Sequence, residues 1–214
     1  MKYNTYIFDL DGTLCDTSID LCNAVNFALK QNRFPQKNTD EVKSYLGNGI
    51  KRLIELSSGL SQSDEKFEKV FTDFKNHYSK HLCDYTMPYD DIVDVIDIIR
   101  SKGAKVCVAS NKAHRYVLEI CDRFFPNKFD CVLGENEKIP KKPDSAMIDE
   151  ILKHTSSEKN STLYIGDSEV DMLTAKNSGL DLVLVGWGFR SFDDLKSLEV
   201  KNLIKNPKQL LDYV

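Results

Sequence analysis

The sequence predicts an α/β protein: a mainly parallel sheet with helices on both faces and a helical domain inserted after the first strand. Three observations carry this reading. Short apolar, β-branched or aromatic runs recur at wide intervals, each with Gly, Asp or Ser at its C-terminal end. Segments of helical periodicity alternate with them, the pattern of βαβ units. One stretch, from about Asp16 to Met87, breaks the rhythm and is too long for a simple crossover.

The strand candidates are Tyr3–Phe8, Lys105–Ala109, Phe129–Leu133, Thr162–Ile165 and Leu182–Val185. Between them, Ile92, Val95, Ile96 and Ile99 mark one apolar helix face, and Gly103 stops that helix. Val117, Leu118 and Cys121 mark a second. Asp144 is placed to cap a third, carrying Met147, Ile148, Ile151 and Leu152, and a fourth follows Asp167 and ends at Gly179. In the inserted stretch, Leu21, Val25, Ala28 and Leu29 share a face, Leu53 and Ile54 belong to a second helix, and Phe67, Val70, Phe71, Phe74 and Tyr78 to a third. Residues 1–15 and 88–214 therefore form the expected core, and 16–87 an inserted cap domain.

A chain of 214 residues with 41% hydrophobic and 29% charged residues has enough material for its own core, without disulfides or a structural metal. The net charge of −4, with no long run of one sign, argues against a nucleic-acid or membrane-surface partner. No apolar stretch approaches the roughly 20 residues that span a bilayer. The N-terminal apolar run is broken by Asp9 and Asp11, unlike a secretory signal, so a cytoplasmic location is expected. Cys15, Cys22, Cys83, Cys107, Cys121 and Cys131 form no Cys-x-x-Cys pair and are expected as reduced, mostly buried thiols. The oligomeric state stays open between monomer and dimer.

Four elements carry chemistry. Asp9 and Asp11 directly follow the first strand candidate and are two residues apart, so in extended chain they point the same way. Open α/β sheets bind ligands at that end. Two close carboxylates repel, so such a pair recruits a divalent cation or shares a proton. Gly12 permits a tight turn and, with Thr13, presents amide N–H groups to an anion. Ser110 and Asn111 follow the second strand candidate, where a hydroxyl and amides suit a phosphate oxygen; the bland reading is a helix cap. Lys142, held by Pro143, offers a fixed positive charge or merely belongs to an exposed basic loop. Asp167 and Asp171 follow a later strand candidate and suit magnesium, or are a cap and a surface residue. Each alone is weak. Their order, with three of the four immediately after strands, lets one sheet edge collect them all.

With these motifs in view, the chain resembles the haloacid dehalogenase superfamily. The four motifs stand as Asp9-Leu10-Asp11-Gly12-Thr13, Ser110, Lys142, and Gly166-Asp167 with Asp171. The segment Asp9–Leu29, the loop Gly47, Asn48 and Gly49, and the pair Trp187-Gly188 are similar to the phosphoglycolate phosphatase branch. The resemblance implies a Rossmann-like core with a small helical cap and a magnesium-dependent phosphatase acting on a small phosphorylated metabolite, phosphoglycolate first among them. It implies that Asp9 is the nucleophile, Asp11 the general acid and base, and that Ser110 and Lys142 hold phosphate oxygens. It further implies that Asp9, the Asp11 backbone carbonyl and Asp167 bind Mg2+, supported by Asp171. Gly47, Asn48, Gly49 and Arg52, with Lys51 beside it, are expected to face substrate from the cap. Two departures stand out: Ser145 where relatives often have a second proline, and Pro88-Tyr89-Asp90-Asp91 where they often have Pro-Tyr-Pro-Gly. The alternatives are a sugar-phosphate phosphatase, a β-phosphoglucomutase-like phosphotransferase and, from another class, a non-catalytic phospho-accepting or phosphate-binding module. A dehalogenase would leave Asp11 and the Asp167 pair without a role.

Overall fold

The computed structural model describes residues 2–214. The first strand, β1 (Thr5–Phe8), is followed by the short β2 (Cys15–Asp16). Helices α1 (Ser18–Gln31), α2 (Thr39–Tyr45), α3 (Ile50–Ser58) and α4 (Phe67–Tyr78) come next. The chain continues through β3 (Met87–Pro88), α5 (Ile92–Ser101), β4 (Lys105–Ala113), α6 (His114–Phe124), β5 (Cys131–Glu135) and α7 (Ala146–Thr155). It ends with β6 (Thr162–Gly166), α8 (Glu169–Ser178), β7 (Asp181–Val185), α9 (Phe192–Ser197), β8 (Leu203–Ile204) and a 3-10 segment, Pro207–Tyr213.

Two units result. One comprises the chain up to Asp16 together with Pro88–Val214; the other is Thr17–Met87, so the first boundary falls one residue later than the sequence suggested. In the first unit, the described strands pair in the order β5-β4-β1-β6-β7-β8, all parallel. The order reverses beside β1: the chain steps outward through β4 and β5, then returns to place β6 on the other side of β1. Such a reversal opens a crevice at the C-terminal strand ends. β1 and β6 are buried along their whole length, as apolar strands covered on both faces must be. Ile7, Cys107 and Tyr164 pack against Met147, Ile148 and Ile151 of α7 and Ala175 of α8 in one continuous core cluster. The Tyr6 hydroxyl donates to the Tyr213 carbonyl at 2.8 Å, tying the C-terminal segment back to β1.

The second unit is helical. α1 packs along α4, and Leu21, Val25, Ala28 and Leu29 of α1 and Val70, Phe74 and Tyr78 of α4 are all buried. α2 begins with a reciprocal capping box between Asn38 and Glu41. Asp20 is buried and accepts from the Tyr85 and Thr86 amides and the Thr86 hydroxyl, which joins the start of the unit to its end. Gly47 and Gly49 lie between α2 and α3 at φ +105° and +81°, a backbone that favours glycine.

Several boundaries differ from the sequence reading. β4 runs to Ala113 rather than Ala109, so Ser110 and Asn111 lie in the strand and cap no helix. β1 starts at Thr5 and β5 at Cys131. The buried face of α6 is Tyr116, Val117, Ile120 and Cys121, while Leu118 is exposed. Ser145 holds the N-cap position of α7, although the Asp144 carboxylate accepts from the Ala146 amide at 2.8 Å. The six cysteines are free thiols, all buried except the half-buried Cys131. No helix among the described residues is long and apolar enough to cross a membrane.

Candidate active site

The register of the central strands brings the motif residues together. Phe8 is level with Val108 on β4 and Ile165 on β6. The next residue, Asp9, donates its amide to the Ile165 carbonyl at 2.9 Å. Asp9 and Asp167 thus follow the ends of β1 and β6, and Ser110 stands on the adjacent β4 at the same end of the sheet. Beyond Asp9 the chain turns tightly, with the Thr13, Leu14 and Cys15 amides all directed at the Leu10 carbonyl. Gly12 sits at φ +86°, and a Cβ there would lie 2.2 Å from Asp167 Oδ2. A Cβ on Gly188 would lie 2.4 Å from the same oxygen. Two glycines therefore let backbone close on the Asp167 carboxylate from two sides. The Phe189 amide donates to Asp167 Oδ2 at 2.7 Å, and the Trp187 indole donates to the Thr13 carbonyl at 3.1 Å. Thr13 itself is fully buried.

Lys142 is the hub. Its side chain is buried, and Nζ lies 2.9 Å from Asp9 Oδ1, 2.8 Å from Asp171 Oδ1 and 3.0 Å from the Tyr164 hydroxyl. Asn111 Nδ2 donates to the Lys142 carbonyl at 3.0 Å, so β4 fixes the backbone that carries this lysine. Asp171 is fully buried and satisfied on both oxygens. Oδ1 accepts from Lys142 and Tyr164, and Oδ2 from the Asp167 amide and the Ser168 amide and hydroxyl. It is not a surface residue: α8 starts after Asp167, and Asp171 reaches back over its first turn.

Electrostatics make this a strained anionic site. Burial pushes the Asp9 carboxyl up to about 7, opposed by Lys142 and reinforced by Asp171. Burial raises Asp167 well above the carboxylate range, with Asp171 and Asp9 adding to it. Burial alone would lower Lys142, but Asp171 and Asp9 outweigh it and hold the ammonium well above its ordinary value. Four carboxylates, Asp9, Asp11, Asp167 and Asp171, stand with two buried ammonium groups, Lys142 and Lys112, and the Arg190 guanidinium acts on Asp167 as well. Oxygens of Asp9, Asp167 and Asp171 lie within 4.8 Å of one another. Asp9 Oδ2 and Asp167 Oδ1 have no protein donor among the described residues. A hard divalent cation fits this set: carboxylate oxygen donors gathered from Asp9 and Asp167, and a third carboxylate, Asp171, already engaged by protein that holds the frame.

The sequence reading named most of this group but not Lys112. Its Nζ donates to Asp11 Oδ1 at 2.8 Å, with the lysine side chain 2% exposed. Ser110 is buried, and its Oγ accepts from the Lys112 amide at 3.2 Å. Gly47, Asn48, Gly49, Lys51 and Arg52 lie in the helical unit; Arg52 Nη1 there is 3.3 Å from Glu55 Oε2.

Comparison with known proteins gives consistent matches. The family model for haloacid dehalogenase-like hydrolases matches residues 6–185. A phosphoglycolate phosphatase of Aquifex aeolicus is 30% identical, over 86% of this chain and 84% of that protein. One from Colwellia psychrerythraea is also 30% identical, over 88% and 87%. Among solved structures, a Lactobacillus delbrueckii subsp. bulgaricus protein with a predicted phosphoglycolate phosphatase assignment superposes with a TM-score of 0.91 at 32% identity, over 98% and 97% of the two chains.

Proposed function

This chain belongs to the haloacid dehalogenase-like hydrolases, and we propose that among them it is a magnesium-dependent phosphoglycolate phosphatase whose Asp9 carries the phosphoryl group. That it is a phosphatase acting on a phosphorylated small molecule follows from the family and the relatives. The observation that best supports Asp9 as the phosphoryl carrier beside a metal is the convergence of Asp9, Asp11, Ser110, Lys142 and Asp167 at one sheet edge, where the strand order reverses, while the choice of phosphoglycolate rests on the relatives.

In the first half-reaction a carboxylate oxygen of Asp9 attacks phosphorus while the bond to the ester oxygen breaks. Asp11 gives its proton to the departing alkoxide, a role that typically contributes about 10²–10⁴ in rate. In the second half, Asp11 takes a proton from water, the water oxygen attacks phosphorus, and the acyl-phosphate bond breaks to restore Asp9. Lys142 screens Asp9 from the incoming dianion and, with the Ser110 hydroxyl, holds phosphoryl oxygens. Asp9, Asp167 and the Asp11 carbonyl would hold the magnesium ion, and Asp171 orients Lys142 and the start of α8. When bound, magnesium supplies charge neutralisation for an anionic nucleophile approaching an anionic phosphate. The helical unit Thr17–Met87 is read as the cap, with Gly47, Asn48 and Gly49, between α2 and α3, as its substrate-facing loop.

Phosphate release from p-nitrophenyl phosphate and from phosphoglycolate tests this reading. Activity is expected to stop in EDTA, return with magnesium and return poorly with calcium, whose longer bonds and higher coordination number would misplace the phosphate. Full activity in excess chelator contradicts the metal assignment. Transfer of phosphate between positions of a hexose phosphate, in place of release to water, would indicate the phosphotransferase.

A further inference from the structure

We propose that Lys112 is the residue that selects an acidic substrate: its ammonium receives the carboxylate of the leaving group, from the catalytic unit itself. The inference rests on the phosphatase reading above and takes it one step further, to the group that reads the organic end of the ester.

The two buried lysines of the site pair with different carboxylates. Lys142 lies between Asp9 and Asp171, at 2.9 and 2.8 Å, and serves the phosphoryl end. Lys112 stands 2.8 Å from the Asp11 carboxylate. A general acid has to come within hydrogen-bond reach of the atom it protonates, so the leaving oxygen must lie beside Asp11. Whatever is attached to that oxygen therefore lies beside Lys112 as well. In phosphoglycolate the carboxyl carbon is two bonds from the leaving oxygen, short enough for one ammonium to meet both Asp11 and the substrate carboxylate.

The strand end is shaped for this. β4 changes register against β5 between Ser110 and Ala113, a bulge of the kind that re-aims side chains next to active sites. Within it, Ser110 carries the hydroxyl for the phosphate, Asn111 fixes the Lys142 carbonyl, and Lys112 turns its ammonium to Asp11. This buried ammonium already pairs with Asp11, and an acidic leaving group would place a second carboxylate beside it where a neutral one would not. An acidic one brings a charge-assisted hydrogen bond. Arg52, the cation expected to read the substrate from the helical unit, is an exposed side chain opposite Glu55.

The test compares kcat/KM for phosphoglycolate and ethyl phosphate in the wild type, Lys112→Met, Lys112→Arg and Arg52→Ala. Both rates are expected to fall in Lys112→Met, because Asp11 loses this ion pair. The preference for phosphoglycolate should collapse by a further factor of about 10–100, mainly through KM. Lys112→Arg should restore part of the preference. Inhibition by 3-phosphonopropionate should weaken more than inhibition by propylphosphonate, a difference that loss of folding or of Asp11 positioning does not produce. An unchanged preference in Lys112→Met, or one lost only in Arg52→Ala, overturns the assignment. If the wild type cleaves p-nitrophenyl phosphate but treats the two esters alike, the role of Lys112 fails and the phosphatase reading stands. If it cleaves no ester with magnesium present, both fail.

Discussion

Asp9→Asn is expected to reduce turnover of p-nitrophenyl phosphate by about 10⁴ or more, the scale seen when a covalent nucleophile is removed. The neutral amide has the same shape but no carboxylate to attack phosphorus. The same substitution should leave the fold intact. Asp9 is buried, and burial disfavours its negative charge, which the isosteric neutral amide does not carry. Lys142 also keeps its second carboxylate partner, Asp171, at 2.8 Å. Thermal unfolding beside kcat is the check. A folded variant that retains activity within tenfold of wild type, the scale of one 1.4 kcal/mol barrier change, contradicts the assignment.

Lys142→Met should affect stability and activity together. The lysine side chain is 2% exposed and joins Asp9 to Asp171, and Tyr164 completes the cluster. Methionine fills the volume but leaves two buried carboxylates facing each other. Breaking a buried pair in this way costs about 3–5 kcal/mol. In a domain of this size that is a fall of about 10 °C in Tm. Turnover should drop by about 10²–10³, the usual loss when one preorganised charge is removed from a phosphoryl site. A variant as stable as wild type with turnover within a few-fold would show that Lys142 holds neither the cluster nor the phosphate. Stability lost with turnover kept would limit it to scaffolding.

Asp9, Asp11, Ser110, Lys142 and Asp167 were legible in the sequence because most of them directly follow an apolar run, and the ends of parallel strands gather in space. Lys112 was not, for a traceable reason. Ser-Asn-Lys is polar and of low strand propensity, so the apolar run alone predicts a strand that ends at Ala109, with a helix start after it. The structure extends β4 through Ala113. The period-two spacing that pairs Asp9 with Asp11 would have put Ser110 and Lys112 together, had the strand been carried on. Asp171 was read as a helper of Asp167. Its burial comes from contacts that spacing does not reveal, with Lys142 from the preceding loop and Tyr164 from β6. The helix α2 was missed although Asn38-Thr39-Asp40-Glu41 has the spacing of a capping box, because it has few apolar residues to show a period. The glycines at 12 and 188 were visible, but their closeness to Asp167 depends on a long-range return of the chain after β7.

The central claim is that Asp9 carries the phosphoryl group between the two half-reactions and that Asp11 governs its release. Asp11→Asn with p-nitrophenyl phosphate tests it most directly. Nitrophenolate leaves without a proton, so the first half-reaction needs no acid, whereas release of the phosphoryl group needs the base that the variant lacks. Rapid mixing with magnesium should give a burst of about one nitrophenolate per chain followed by a slow steady rate, the signature of an accumulating covalent intermediate. Acid quenching and peptide mapping should then find the phosphoryl group on Asp9. A burst with the label on another residue, or nitrophenolate and inorganic phosphate appearing together at one rate with no labelled peptide, would contradict the account.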